Sequence, residues 1–459
     1  MAKKTNSAHF KKYHLLLIVL ILLAGFFIQR EIHKVPTAKS ITTLESMPLL
    51  TLDHVQRMLV FAPHPDDESL GPGGLIQIAL EKDILVKVVV VTNGDGQREG
   101  PTIVDKETPL PKNYIKFGEQ RQEESLRALE RLGVSPKNVI YLGYPDRGVG
   151  VMWNDDWTTQ CPFIAPFTRV TVNPYPNTYN PHANYCGKDL LDSIKTIMDD
   201  FRPDLVVVSH PADQHPDHGG VSNFVRMAAA ILEDQYPDYQ PLIWGYLVHY
   251  NNFPQPRGKK LDQILLPPEL LASVEYAWGR VELSPEQVQT KLSAIEDYPS
   301  QDLLLGGFLV SFARTNEMFE ILPAENLQTL DYLSISPREV AESTTDPEAA
   351  NLQTETLPVR RNMLAGWNIL RLNNNLTFYL QLHRDFLPET QCVVHFKFPD
   401  GRTFSIETKP TASFLTTPTC TVSLDLAAQG SPQIISFSTE IKQGGLSLSR
   451  TGWHFLFVK

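Results

Sequence analysis

From residue 57 to about 250 the chain alternates short, almost wholly apolar runs with amphipathic stretches of helical length, and that alternation dictates an α/β layer structure. The runs are Met58–Ala62, Val86–Thr92, Val139–Leu142, Leu205–Ser209 and Leu242–His249. A strand with one wet face alternates polar and apolar residues. These runs do not, so helices must cover both faces of a mainly parallel sheet. The helices predicted between them are Gly74–Glu81, Glu119–Leu132, Leu190–Phe201 and Val221–Glu233. A later one opens at Ser284, where Ser-Pro-Glu-Gln supplies an N-cap, a proline in the first turn and Gln287 for a capping box. Such βα units wind a Rossmann-like sheet outward from its first strand, which places strands one and four side by side at the point where the winding reverses.

The chemistry lies at that point. The first run leads into APHPDDESLGPGG, which sets His64, Asp66, Asp67 and Glu68 in one turn; the fourth leads into SHPADQHPDH, with His210, Asp213, His215, Asp217 and His218. Imidazole and carboxylate together suit Zn²⁺, and a catalytic zinc takes three protein ligands and leaves a position open. His64, His218 and one of the two neighbouring aspartates make such a set. The other aspartate is then free to act as a base, and spacing alone does not say which is which. His215 supplies a second imidazole able to stabilise an oxyanion and protonate a leaving amine. His210 and Asp213 read as supports of the loop, and Asp95, in VTNGDG after the second run, points to the site's edge.

At these residues the chain resembles the PIG-L/LmbE family of metal-dependent N-acetylglucosamine deacetylases. The resemblance rests on HPDDE and HPDH and extends to RQEESLRALERLGV, KLSAIEDYPSQ and FARTNEMFE, so it covers residues 57 to 322. It implies an LmbE-like fold, His64, Asp67 and His218 as ligands of Zn²⁺ or another divalent ion, and Asp66 as general base. It further implies that His215 stabilises the oxyanion with Asp217 orienting it, and that Arg121 and Asp146 contact the substrate. The activity implied is removal of the acetyl group from an N-acetylated amino sugar, with an amidase acting on another N-acyl group as the nearest alternative. A non-catalytic sugar-binding protein is disfavoured, because a structural metal needs neither a spare base nor a spare imidazole.

Outside that stretch the chain carries three further signals. Lys3, Lys4, Lys11 and Lys12 precede an unbroken apolar run, Leu15–Ile28, which predicts a membrane anchor or signal within residues 1–35 and places everything after it on the extracytoplasmic side. Lys and Arg number 41 against 52 Asp and Glu, a net charge of −11 with no basic cluster beyond the N-terminus, so nucleic acid is excluded as a partner. Export suggests two disulfides among the four cysteines, paired locally as Cys161 with Cys186 and Cys392 with Cys420.

The 35 prolines foretell long extended connections, and the stretch Gly143–Gly187, rich in Pro, Asn, Tyr and Trp, is one, suited either to sugar faces or to covering the sheet. The hydrolase domain is expected over 50–335 and an acidic, aperiodic linker over 336–358. Period-two patterning over 359–459, as in Phe378, Leu380 and Leu382, predicts a small C-terminal all-β sandwich with a hairpin turn at Phe398–Arg402.

Overall fold

The computed structural model describes residues 41–272, 276–322, 325–327, 332–335, 339–340, 364–382, 389–411 and 418–458. The apolar run at Leu15–Ile28 and most of the expected linker lie outside them. Among the described residues no helix is long and apolar enough to cross a membrane.

Seven strands form the central sheet: β1 (Arg57–Ala62), β2 (Leu85–Thr92), β3 (Val139–Tyr144), β4 (Leu205–Ser209), β5 (Leu242–Tyr246), β6 (Trp278–Glu282) and β7 (Asn316–Ile321), in the order β3-β2-β1-β4-β5-β7-β6. The first five are parallel, with Met58 opposite both Val86 and Leu205. β7 and β6 close one edge in antiparallel pairing. Successive residues of β1 feed different cores: Met58, Val60 and Ala62 meet the helices Gly73–Glu81, Pro111–Arg131 and Pro285–Ile295. Leu59 and Phe61 meet Val149–Asn154, Gly187–Phe201 and Pro216–Gln235 on the other face. Cover on both faces is why these strands read as continuous apolar runs.

Three elements differ most in length from expectation, among them the helix predicted over Val221–Glu233, which runs Pro216–Gln235 and takes Asp217 and His218 into its first turn. The helix predicted from Glu119 begins at Pro111, because Gly118 interrupts the apolar period while Tyr114 and Phe117 are nevertheless buried. Gly118 is required there, since a Cβ would lie 2.4 Å from the Tyr175 hydroxyl. β5 stops at Tyr246 rather than running to His249, because the amides of Val248 and His249 turn away to donate to Asp213 Oδ2. The capping box at Ser284 and Gln287 forms as read.

At the C-terminus two antiparallel-rich sheets share one core in which Phe378 of one sheet meets Phe396 and Phe437 of the other. The Cys392–Cys420 disulfide joins the strand Thr390–Lys397 to Thr419–Asp425 across that core. The second expected disulfide is corrected: Cys161 is an exposed free thiol and Cys186 a buried one at the start of Gly187–Phe201. The sheets also take in strands from before the expected linker, for Glu325–Leu327 pairs with His454–Val458 and Tyr332–Ile335 with Leu364–Leu372. Strands of three and four residues are too short to display a period-two pattern.

The β unit is seated against the central fold. Trp153 packs edge-on to Trp453 and Phe224, Arg226 donates to the Trp453 carbonyl, and Phe455 and Phe457 join the core beneath Pro216–Gln235. The hairpin tip at Gly401 (φ 87°) presses on Trp157 so closely that a Cβ would lie 1.9 Å from the indole nitrogen. The long 143–187 stretch lies over the sheet, with Tyr175 and Tyr185 buried and the Tyr175 hydroxyl donating to Asp95 Oδ2 at 2.7 Å.

Candidate active site

Residues that follow β1 and β4 meet where the two strands run side by side. His64 Nδ1 lies 3.2 Å from His218 Nε2 and 3.3 Å from Asp67 Oδ2, and His218 Nε2 lies 3.1 Å from the same carboxylate oxygen. The three atoms form a nearly equilateral triangle. Ligands bound tetrahedrally at about 2.0–2.1 Å stand about 3.3 Å apart, so the triangle has the edge that a zinc-sized ion requires. Two further features fit a cation. Asp67 Oδ1 is buried without a hydrogen-bond partner among the described residues. Burial opposes charge on His218, yet Asp213 and Asp67 outweigh it and bring the imidazole up to about 10; His64 is likewise held well above the usual range against burial by Asp146, Asp217 and Asp67. The pocket demands positive charge where the triangle sits.

Carboxylates hold the far edges of both imidazoles, an arrangement that fixes ring orientation and ligand basicity. Asp213 Oδ2 lies 3.1 Å from His218 Nδ1, so the residue read as a loop support also faces a member of the triangle. Asp146 Oδ1 lies 3.3 Å and Asp217 Oδ2 3.4 Å from His64 Nε2. Here the structure corrects the expected role of Asp217. Its carboxylate accepts from the amides of Arg147 and Val149 and faces His64, whereas His215 Nδ1 accepts from the Asp217 amide at 3.3 Å. The resemblance pairs Asp217 with His215, but in the helix that His215 caps the Asp217 side chain faces His64 instead. Asp146 is engaged by His64 and by the Gly96 amide, and its own amide donates to Asp95 Oδ1.

Asp66 has φ 139°, a conformation that costs a non-glycine residue on the order of 1–3 kcal/mol, and its carboxylate is engaged by Arg121. Glu68 holds this turn: its Oε2 accepts the Asp66 amide at 3.1 Å and its Oε1 accepts from Ser125 and Tyr298. Burial lifts the Asp66 carboxyl to about 8, with Arg121 opposing and Asp67 and Glu68 reinforcing the rise. Arg121, expected to contact substrate, is 3% exposed and committed to this turn. Its guanidinium donates to Pro65 O at 2.7 Å, Asp66 Oδ2 at 3.2 Å and Gly94 O at 3.0 Å.

His215 is half-buried at the mouth. Since Nδ1 accepts a hydrogen bond, the neutral ring carries its proton on Nε2. Burial and the nearby His64, His218 and His249 keep it neutral, its pKa well below the usual range. His249 was not singled out from the sequence, yet its ring lies 4.8 Å from that of His218 and 5.4 Å from that of His215. Its place just past β5, beside the point of reversal, was the available signal. His210 stacks on Trp278 and pairs with Glu320 beneath the site.

Residues 59–229 match the model of the PIG-L family, GlcNAc-PI de-N-acetylase. This stretch is a PIG-L domain. It contains His64, Asp66, Asp67, Arg121, Asp146, His215, Asp217 and His218, while His249 lies beyond it. The chain is 28% identical over 198 residues to a 1D-myo-inositol 2-acetamido-2-deoxy-alpha-D-glucopyranoside deacetylase of Mycobacterium sp. (strain KMS), covering 42% of this chain and 56% of that protein. It is 28% identical over 177 residues to a probable N-acetyl-alpha-D-glucosaminyl L-malate deacetylase 2 of Bacillus subtilis (strain 168), covering 38% and 60%. The match thus spans little more than half the length of these relatives. Among solved structures, N,N'-diacetylchitobiose deacetylase from Pyrococcus horikoshii aligns over 59% of this chain and 85% of its own, at 18% identity and a TM-score of 0.37.

Proposed function

We propose that the protein is a divalent-metal hydrolase, with Zn²⁺ as the ion, that removes the acetyl group from an N-acetylglucosamine-type amino sugar of an envelope glycan or glycoconjugate. The observation that carries this reading is the triangle of His64 Nδ1, Asp67 Oδ2 and His218 Nε2, with Asp66 and His215 beside it and outside it. His64, Asp67 and His218 would hold the ion, which when bound acidifies a water and polarises the acyl oxygen. Asp66 accepts a proton from the attacking water, since its carboxylate is held by Arg121 and not by a member of the triangle. His215 donates its Nε2 proton as a hydrogen bond to the oxygen that gains charge as the carbonyl becomes tetrahedral. When the C–N bond breaks, Asp66 returns the proton to the leaving amine. Arg121 and Glu68 keep the base in place throughout.

The location we propose is the extracytoplasmic side, by anchor or secretion. It is supported by the Lys-flanked apolar run Leu15–Ile28 and by the Cys392–Cys420 disulfide, a bond that persists in oxidising compartments. The test follows acetate release from N-acetylglucosamine and its oligomers by the zinc-loaded chain and by Asp66→Asn. We expect the variant to keep its metal and to lose activity by about 10²- to 10⁴-fold. Release at the wild-type rate removes Asp66 as the base, and no acetate from any of these sugars moves the activity to another N-acyl group.

A further inference from the structure

His249 stands at the mouth of the site with its backbone tied and its ring nitrogens unspent. Its amide donates to Asp213 Oδ2 at 3.0 Å, and its carbonyl accepts from the Gln214 amide at 2.7 Å. One ring face stacks on Phe308 at 5.6 Å, while the ring lies edge-on to His218 at 4.8 Å. Asp213 therefore ties the strand end that carries His249 to His218, whose Nδ1 it faces. The ring is half-buried, and among the described residues no hydrogen bond engages either of its nitrogens. A polar side chain ordered from several sides, with donors left over beside a reactive cluster, has the form of a group that meets a ligand.

A His249 nitrogen lies within 4.8 Å of the candidate ligand atoms of Asp67 and His218. The three atoms of the triangle stand 3.1 to 3.3 Å apart. The triangle is complete without His249, whose ring lies 5.4 Å from that of the half-buried His215. We infer that His249 is a second substrate-contacting imidazole, which with His215 brackets the acyl group and donates a hydrogen bond to its oxygen. The chemistry of the ligand rests on the deacetylase reading above; the position of the ring does not.

The test uses the full chain loaded with Zn²⁺, as wild type, His249→Ala and His249→Gln, with matched thermal midpoints confirming that each is folded. Three quantities are measured: metal affinity by chelator competition, kcat and KM for acetate release from N-acetylglucosamine oligomers, and the Kd of acetate itself, the acyl product. We expect metal affinity within threefold of wild type in both variants. In His249→Ala, kcat should fall about 100-fold, as for loss of one oxyanion donor, with KM little changed and acetate bound about tenfold more weakly. His249→Gln, which keeps an N–H donor, should recover part of both losses. Loss of metal affinity in His249→Ala beyond threefold of wild type would make His249 a ligand and overturn the inference. Wild-type kcat together with wild-type acetate affinity in His249→Ala would overturn it too. If wild type deacetylates none of these sugars, the substrate reading fails separately, and acetate affinity alone decides: weaker binding in His249→Ala sustains the contact and unchanged binding refutes it.

Discussion

Asp217 Oδ2 lies 3.4 Å from His64 Nε2, on the opposite edge of the imidazole from the Nδ1 that faces Asp67 and His218. The same carboxylate accepts the amides of Arg147 and Val149, so it locks the His64 ring to the loop that follows β3. Removing such an outer partner typically lowers metal affinity by about 10- to 100-fold. Asp217→Asn should therefore lose zinc affinity by about that factor, read by chelator competition. If affinity stays at wild type while turnover alone falls, Asp217 acts through His215 after all.

Arg121 sets both the position and the charge of Asp66, the base proposed above. Burial raises the Asp66 pKa, and the guanidinium opposes that rise. Arg121→Gln removes the opposing charge, so the Asp66 pKa moves further up. The base works deprotonated, and activity appears as pH climbs through its pKa. The acid limb of kcat/KM against pH should accordingly shift to higher pH, with a loss of at least about tenfold at pH 7. An unmoved limb with an increase confined to KM would return Arg121 to the role of a substrate contact.

The cysteines give a count that chemistry can check. Cys392 and Cys420 are bonded, Cys161 is exposed, and burial pushes the Cys186 thiol up to about 11. Only the thiolate reacts readily, and only where reagent can reach it. A thiol reagent should label Cys161 in the folded chain and Cys186 only after denaturation, while Cys392 and Cys420 need prior reduction. A peptide map linking Cys161 to Cys186 would contradict this.

Lys397 bears on stability where the β unit meets the central fold. It is 1% exposed, its Nζ lies 4.0 Å from the Trp157 ring centre, and burial brings its pKa down to about 8 with Asp155 opposing. An unfolded lysine titrates near 10.4, so between about pH 8 and pH 10.4 the unfolded chain holds a proton that the folded chain has released. Unfolding free energy must rise with pH across that window. Wild type should gain on the order of 1–3 kcal/mol over Lys397→Met between pH 7 and pH 10, measured by denaturant unfolding at each pH. Equal changes in the two proteins would mean that Lys397 stays charged in the fold.

The five parallel strands and the two motif clusters were legible in the sequence for a local reason. A strand buried on both faces must be apolar at every position, and HPDDE and HPDH carry their chemistry within a few residues. The antiparallel edge was not legible. β7 buries Asn316, Glu317 and Glu320, each with a distant partner, so polar residues interrupt the apolar run that would have marked it. The site divides the same way. Which residues gather at the end of β1 and β4 follows from the order of the strands, but which carboxylate serves which imidazole does not. Asp217 meets His64 across 153 positions of chain, Arg121 meets Asp66 across 55, and His249 reaches His218 from the far end of β5. Periodicity is set by neighbours along the chain, whereas these pairings exist only once packed helices bring separate strand ends together and burial makes each charge find its partner.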